Sequence, residues 1–120
     1  MKRLIAIAVA GAMLAFAAVG WAKVSIKVSP TSVKAGGRVT VSGSAGNGCA
    51  SGDQVTLISK AFAHKHDFAG LPAIFAVTHK GGAFSTTTTI PKSRKPGSYT
   101  ITGRCGGGNL GTHATLKVTP

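Results

Sequence analysis

The sequence predicts an all-β fold, a sandwich of about seven strands with one disulfide. Apolar and polar residues alternate along several short stretches, which is typical of half-buried strands. Turn signals rich in Gly and Pro separate these stretches at fairly even intervals, as they do in sandwiches and barrels. The chain of 120 residues has only two cysteines, Cys49 and Cys105. Beyond residue 22, no stretch has a convincing helical periodicity.

Residues 1–22 predict a signal-peptide helix that is removed on secretion. The chain begins with Met1, Lys2 and Arg3, continues with an apolar run over 4–19, and has small residues at Gly20 and Ala22. We therefore expect one domain over 23–120, in the extracellular space or cell envelope, with no stable membrane span after cleavage. The alternative is an uncleaved anchor, which the shortness of the apolar run disfavours.

The alternating stretches predict the strands of the sandwich in chain order. Val, Ile and Thr dominate them, and these residues suit a pleated, half-buried surface. The predicted strands cover residues 24–28, 38–42, 55–57, 84–90, 99–101 and 114–118. The segment 60–80 is less regular and predicts an elaborated crossover with one further strand near 74–78.

Cys49 and Cys105 are predicted to form a structural disulfide in an oxidising compartment. In a Greek-key sandwich, the strands at 38–42 and 99–101 run in the same direction. The loops that follow them then lie at the same end, where the two cysteines can meet. The chain-entropy model assigns such a long loop a stabilisation of roughly 4 kcal/mol.

Several segments resemble the Ig-like modules of bacterial secreted and surface proteins, especially those of actinobacteria. They are VSPTSVKAGG at 28–37, VTVSG at 39–43, GAFST at 82–86 and PGSYTITGRC at 96–105. The resemblance implies an Ig-like Greek-key β-sandwich over 23–120. It also implies that the module acts as a spacer, an adhesion domain or a carbohydrate-contacting appendage.

The charge of the chain predicts anionic partners. The formal net charge is +12, and removal of Lys2 and Arg3 leaves twelve Lys and Arg against two Asp, a net charge of +10. Such an excess attracts anionic polymers of the cell envelope or extracellular space. The densest basic run supplies the candidate polyanion-binding residues, Lys92, Arg94 and Lys95. The alternatives are a charge that serves solubility and a run that is an ordinary solvated turn.

Catalysis and specific nucleic-acid binding are not predicted. Glycoside hydrolysis needs two facing carboxylates, and the chain offers only Asp53 and Asp67. Both cysteines are used by the disulfide, and no Ser lies in a nucleophile motif. Single-strand readers present aromatic platforms, whereas Phe84 and Tyr99 are expected on core faces. We therefore expect a non-enzymatic binding or structural module without a cofactor.

Two further hypotheses remain open from the sequence. The first is a metal site for Zn or Cu(II), formed by His64, His66 and Asp67 and completed by His79 or His113, because imidazole and carboxylate suit these ions. The alternative for that cluster is a solvated loop. The second hypothesis is a spacer or adhesion module with a protein partner. The oligomeric state is open, since edge strands of a small sandwich can pair with another chain.

Overall fold

The computed structural model describes residues 23–49, 51–106 and 108–120, and these residues form an all-β domain. Its elements are nine strands and two short 3-10 turns, Gly46–Gly48 and Lys80–Gly82. In chain order the strands are β1 (Ser25–Ser29), β2 (Ser32–Lys34), β3 (Arg38–Ser44), β4 (Gln54–Ile58), β5 (His66–Phe68), β6 (Leu71–Val77), β7 (Ala83–Thr89), β8 (Gly97–Cys105) and β9 (Gly108–Thr119).

The strands form two sheets, so the predicted all-β sandwich is confirmed. One sheet has the order β1-β3-β7, and the other has the order β2-β9-β8-β4-β6-β5. The predicted signal-peptide helix over 1–22 lies outside the described residues. Within the described part of the chain, no helix has the length and apolarity needed to cross a membrane.

The prediction of about seven strands missed β2 and β5. Each has only three residues, which is too short to show an alternating pattern. The strand predicted near 74–78 is present as β6, which begins three residues earlier and forms a hairpin with β5. Phe68 pairs with Leu71 across a two-residue turn, and both turn residues have positive φ, 52° at Ala69 and 85° at Gly70. A two-residue turn of this hand matches the twist of a hairpin.

The core lies between the sheets and is built from the inward-facing residues of the predicted alternation. Its fully buried members include Val39 and Val41 on β3, Leu57 on β4 and Leu116 on β9. Phe62, on the connection after β4, is also fully buried. Burial of each large apolar side chain contributes about 1.5–3 kcal/mol. Both sheets, the core cluster and the disulfide lie within 25–119, so the form 23–120 contains them all.

Strand register gives the sandwich two distinct ends. Cys49 follows β3, Cys105 ends β8, and the two form the predicted disulfide with a Cα–Cα distance of 6.0 Å. We call this the disulfide end. At the opposite end β3 begins, β4 finishes and β8 begins. The loop between β7 and β8 lies there, together with the turn between β2 and β3 and the connection between β4 and β5.

Candidate polyanion-binding end

Most of the basic side chains lie at the end opposite the disulfide. Arg38 begins β3 and pairs with Thr89, the last residue of β7. Lys117 pairs with Ser98 near the start of β8. Lys34 ends β2, and the remaining members are on the connection between β4 and β5 and on the loop between β7 and β8. We call the set the basic end, and its residues are Lys34, Arg38, Lys60, Lys65, Lys92, Arg94, Lys95 and Lys117. It holds eight of the twelve Lys and Arg in 23–120.

The loop between β7 and β8 is bonded to the turn between β2 and β3. The Gly36 amide donates a hydrogen bond to the Ile90 carbonyl, and the Ile90 amide donates one to the Gly37 carbonyl, each at 2.8 Å. The Lys92 stem packs on Gly36, since a Cβ placed there would lie 2.9 Å from Lys92 Cγ. Gly36 also has a φ of +92°, which favours glycine. The two segments therefore present their cations together.

Arg94 joins the same loop to the connection after β4. Its Nε donates a hydrogen bond to the Ala61 carbonyl at 3.3 Å, and its Nη2 donates one to the Phe62 carbonyl at 2.9 Å. The guanidinium is half-buried, whereas Lys92 and Lys95 are exposed. Of the three residues predicted to contact a polyanion, two are therefore exposed cations and the third also anchors the main chain.

The carboxylates of the domain do not balance this charge. Asp53 precedes β4 at the disulfide end. Asp67, on β5, is paired with the imidazole of His64, with Oδ1 2.5 Å from Nδ1. Two carboxylates cannot neutralise twelve cations. The basic end therefore has a strong excess of positive charge that is available to an external anion.

A shallow cleft lies beside the basic end on the free edge of β7. Its volume is about 390 Å³, and its lining combines two cations with the hydroxyl side chains at the end of β7. The lining residues are Arg38, Ala63, Lys65, Thr87, Thr88, Thr89 and Pro91. Hydroxyls and cations are both donors to sulfate, phosphate or carboxylate oxygens. The cleft is thus suited to an anionic group of a polymer.

The structure does not gather the residues of the predicted metal site. His64 is bonded to Asp67, while the ring of His66 lies against that of Phe75, with centroids 4.5 Å apart. His66 and Asp67 are consecutive in a strand and project to opposite sides. Among the described residues, the single cluster of three potential ligands is Cys49, Asp53 and Cys105, whose sulfurs are bonded to each other. The metal site remains a prediction without a third ligand.

Sequence reasoning singled out only three of the eight residues of the basic end. The others are scattered from Lys34 to Lys117, and nothing in their local spacing indicates that they converge. The register of the sheets brings them together. Ser32 pairs with Lys117, so Lys34, two residues further along β2, lies at the same end as Lys117. Finding these residues from the sequence would have required the directions of the strands.

Comparisons with known proteins give similarity of fold but no family. Neither a protein-family model nor a curated protein matches the chain. The structure is similar to alkylpurine DNA glycosylase AlkC of Pseudomonas fluorescens, solved bound to DNA containing an abasic site analogue, with a TM-score of 0.50 and 15% identity. The match covers 82% of this chain and 30% of the glycosylase chain. At this identity the likeness shows the fold alone.

A second similar structure is an uncharacterised protein from Bacillus anthracis str. Ames. Its TM-score is 0.44 and its identity is 17%, and the match covers 82% of this chain and 85% of that one.

Proposed function

We propose that the protein is a secreted, non-enzymatic binding module whose basic end holds anionic polymers of the cell envelope or extracellular space. The observation that carries the proposal is the convergence of eight of the twelve Lys and Arg of 23–120 on one end of the sandwich. The end is formed by three segments that are bonded or packed on one another through Arg94, Gly36 and Lys92.

Binding would depend on many weak contacts rather than on one strong contact. An exposed ion pair contributes about 0–1 kcal/mol. Exposed Lys92 and Lys95 contact successive anionic groups, while Arg38 and Lys65 face the cleft beside β7. Linking such contacts along one polymer multiplies their effect. Salt screens each contact, so the affinity falls steeply as ionic strength rises.

Duplex DNA belongs among the polymers to be tested, because its phosphates carry a dense row of negative charge. Lys and Arg bind phosphates through a term that is independent of sequence and sensitive to salt. We expect any DNA binding by this domain to be indifferent to base sequence. A preference for one duplex over others of equal length would contradict this expectation.

The proposal is tested by eluting the form 23–120 with a salt gradient from columns of heparin, polyphosphate, duplex DNA and the producing organism's envelope polymers. The variant Lys92→Glu, Lys95→Glu reverses two charges at the basic end. The variant Lys27→Glu, Lys80→Glu makes the same change in net charge away from it. We expect the first variant to elute at clearly lower salt than the wild type, and the second to elute near the wild type.

Two results would contradict the proposal. Equal shifts for the two variants would mean that net charge alone causes retention. No retention of the wild type on any polymer would leave the charge as a solubility feature. That result would favour the spacer or adhesion role that the resemblance to Ig-like modules implies.

A further inference from the structure

The β5–β6 hairpin exposes four large apolar side chains on the outer face of the six-stranded sheet. The exposed fractions are 39% for Phe68, 37% for Leu71, 38% for Phe75 and 55% for Val77. We call this set the hairpin face. Scattered exposed apolar residues are ordinary, whereas a contiguous apolar patch marks an interaction site.

Register places these residues side by side. Phe68 pairs with Leu71 across the hairpin, so their side chains project to the same side. Leu71, Phe75 and Val77 are separated by even steps along β6 and share that side. Pro72 and Ala76, on the other side, are buried. Ala73 lies between Leu71 and Phe75 on the same side and is also buried, and it pairs with His66, whose ring lies against Phe75. The hairpin face is thus an apolar strip that the imidazole of His66 borders near its middle.

Basic side chains border the strip. The Arg104 guanidinium carbon lies 4.9 Å from the centroid of the Phe68 ring. Thr56 on β4 pairs with Phe75 on one side and with Arg104 on the other. Lys60 lines an adjoining groove of about 430 Å³ together with Leu71 and other residues of the sheet. Cations therefore flank the apolar strip at two places.

Carboxylates are not part of this face in the described residues. Asp67 pairs with Pro72, which is buried on the opposite side of β6. The Asp53 carboxylate lies beside the disulfide, within 4.8 Å of the sulfurs of Cys49 and Cys105. The face is consequently apolar at its centre and positively charged at its margin.

We propose that the hairpin face docks on the surface of an anionic phospholipid bilayer. Phe68, Leu71, Phe75 and Val77 would enter the boundary between headgroups and acyl chains, while Arg104 and Lys60 bind the lipid phosphates. Apolar area and attraction to anionic lipid together set the strength of such interfacial binding. Each basic residue near the surface contributes about 1 kcal/mol.

Charge complementarity favours a bilayer over a second copy of the chain. A dimer formed through this face would bring together two domains that each have a net charge of +10. Arg104 and Lys60 of both copies would then border one interface, and like charges repel there. An anionic bilayer meets the same cations with the opposite charge. The hairpin face is distinct from most of the basic end, so lipid-free polymers test one surface and vesicles test the other.

The experiment uses the form 23–120, which lacks the natural Trp21, with a tryptophan placed on the hairpin face. In Phe75→Trp, we expect vesicles of phosphatidylcholine and phosphatidylglycerol to shift the emission to the blue and brominated lipid to quench it. Vesicles of phosphatidylcholine alone should produce little change. The control Ser85→Trp places the reporter on the exposed outer side of β7, outside the cleft of the basic end, where we expect neither shift nor quenching.

A loss variant tests the energetic role of the strip. Because Phe75 and Val77 are exposed, Phe75→Ser with Val77→Ser should leave the fold intact and weaken binding to anionic vesicles at least about tenfold. The variant Lys92→Glu, Lys95→Glu should still show quenching in the Phe75→Trp background. If the protein is not retained on lipid-free polymers but its reporter at position 75 is still quenched by vesicles, the result contradicts only the function proposed for the basic end.

Three outcomes would overturn the lipid proposal. The first is equal quenching of the reporters at positions 75 and 85. The second is unchanged vesicle affinity in the double Ser variant. The third is a concentration-dependent dimer in analytical ultracentrifugation that is lost in Phe75→Ser with Val77→Ser, while vesicles bind neither the wild type nor the variant. This result would assign the face to a second copy of the chain.

Discussion

The two ends of the sandwich are closed in different ways. At the disulfide end, the Cys49–Cys105 bond joins the loop after β3 to the last residue of β8. At the basic end, closure depends on hydrogen bonds from Arg94, Gly36 and Ile90. Eight cations lie at this end, and their mutual repulsion opposes compaction. Because the disulfide and the charged surface lie at opposite ends, a substitution can change the covalent stabilisation or the surface charge without changing the other.

The largest expected effect is on stability, from removal of the covalent closure. We expect Cys49→Ala with Cys105→Ala to lower the free energy of unfolding by about 2–5 kcal/mol, because the unfolded chain regains the freedom of a long loop. Denaturant titration followed by circular dichroism measures the change. The salt needed to elute the folded variant from polyphosphate should match the wild type. A large drop in that salt would show that the two ends are coupled.

The next effect tests the non-covalent closure. We expect Arg94→Ala to lower the free energy of unfolding by about 1–3 kcal/mol, because the Ala61 and Phe62 carbonyls lose a charged donor. Elution from polyphosphate should also shift to lower salt, since a cation is removed from the basic end. The same denaturant titration and salt gradient measure both changes.

Arg94→Lys is the matched control for this variant. Lys keeps the charge but lacks the planar fork that spans two carbonyls. We therefore expect it to restore polymer retention and to leave most of the stability loss in place. Full recovery of stability by Lys would show that charge at this position matters and that the two hydrogen bonds do not.

Substitution of the exposed lysines at the basic end should change polymer retention and leave stability unchanged, the opposite of removing the disulfide. Lys92→Glu with Lys95→Glu should change the free energy of unfolding by no more than about 0.5 kcal/mol, because both side chains are exposed. Its elution from heparin should nevertheless shift clearly to lower salt. Denaturant titration and chromatography of the same sample check both parts. A destabilisation as large as that of Arg94→Ala would mean that these lysines hold the end together.

The smallest expected effect concerns the histidines near the hairpin. We expect calorimetric titration with Zn or Cu(II) to give equal heats for the wild type and for His64→Ala with His66→Ala. The reason is that His64 is bonded to Asp67 and His66 packs on Phe75, so the two imidazoles do not share a ligand set. A stoichiometric heat that the double variant loses would support the metal hypothesis.

Local patterns and simple counts in the sequence were enough to predict the fold class, the disulfide and the excess of charge. Alternation of side chains is a local property of an extended chain, so Val39 and Val41 could be assigned to the core without knowledge of their neighbours. Two cysteines allow one intramolecular pairing, and a count of Lys, Arg and Asp needs no structure. The exposed positions of Lys92 and Lys95 also follow from their place in a polar loop.

How these parts meet depends on contacts between residues that are distant in the sequence. The short strand β5 exists because β6 pairs with it. The apolar segment 71–77 also gave no indication that the side chains of Phe75 and Val77 would be exposed. Convergence of distant cations such as Lys34 and Lys117 requires the registers of β2, β8 and β9. Arg94 acquires its anchoring role only because the chain returns past the Phe62 carbonyl. Such contacts join residues far apart in sequence, where local patterns carry no information.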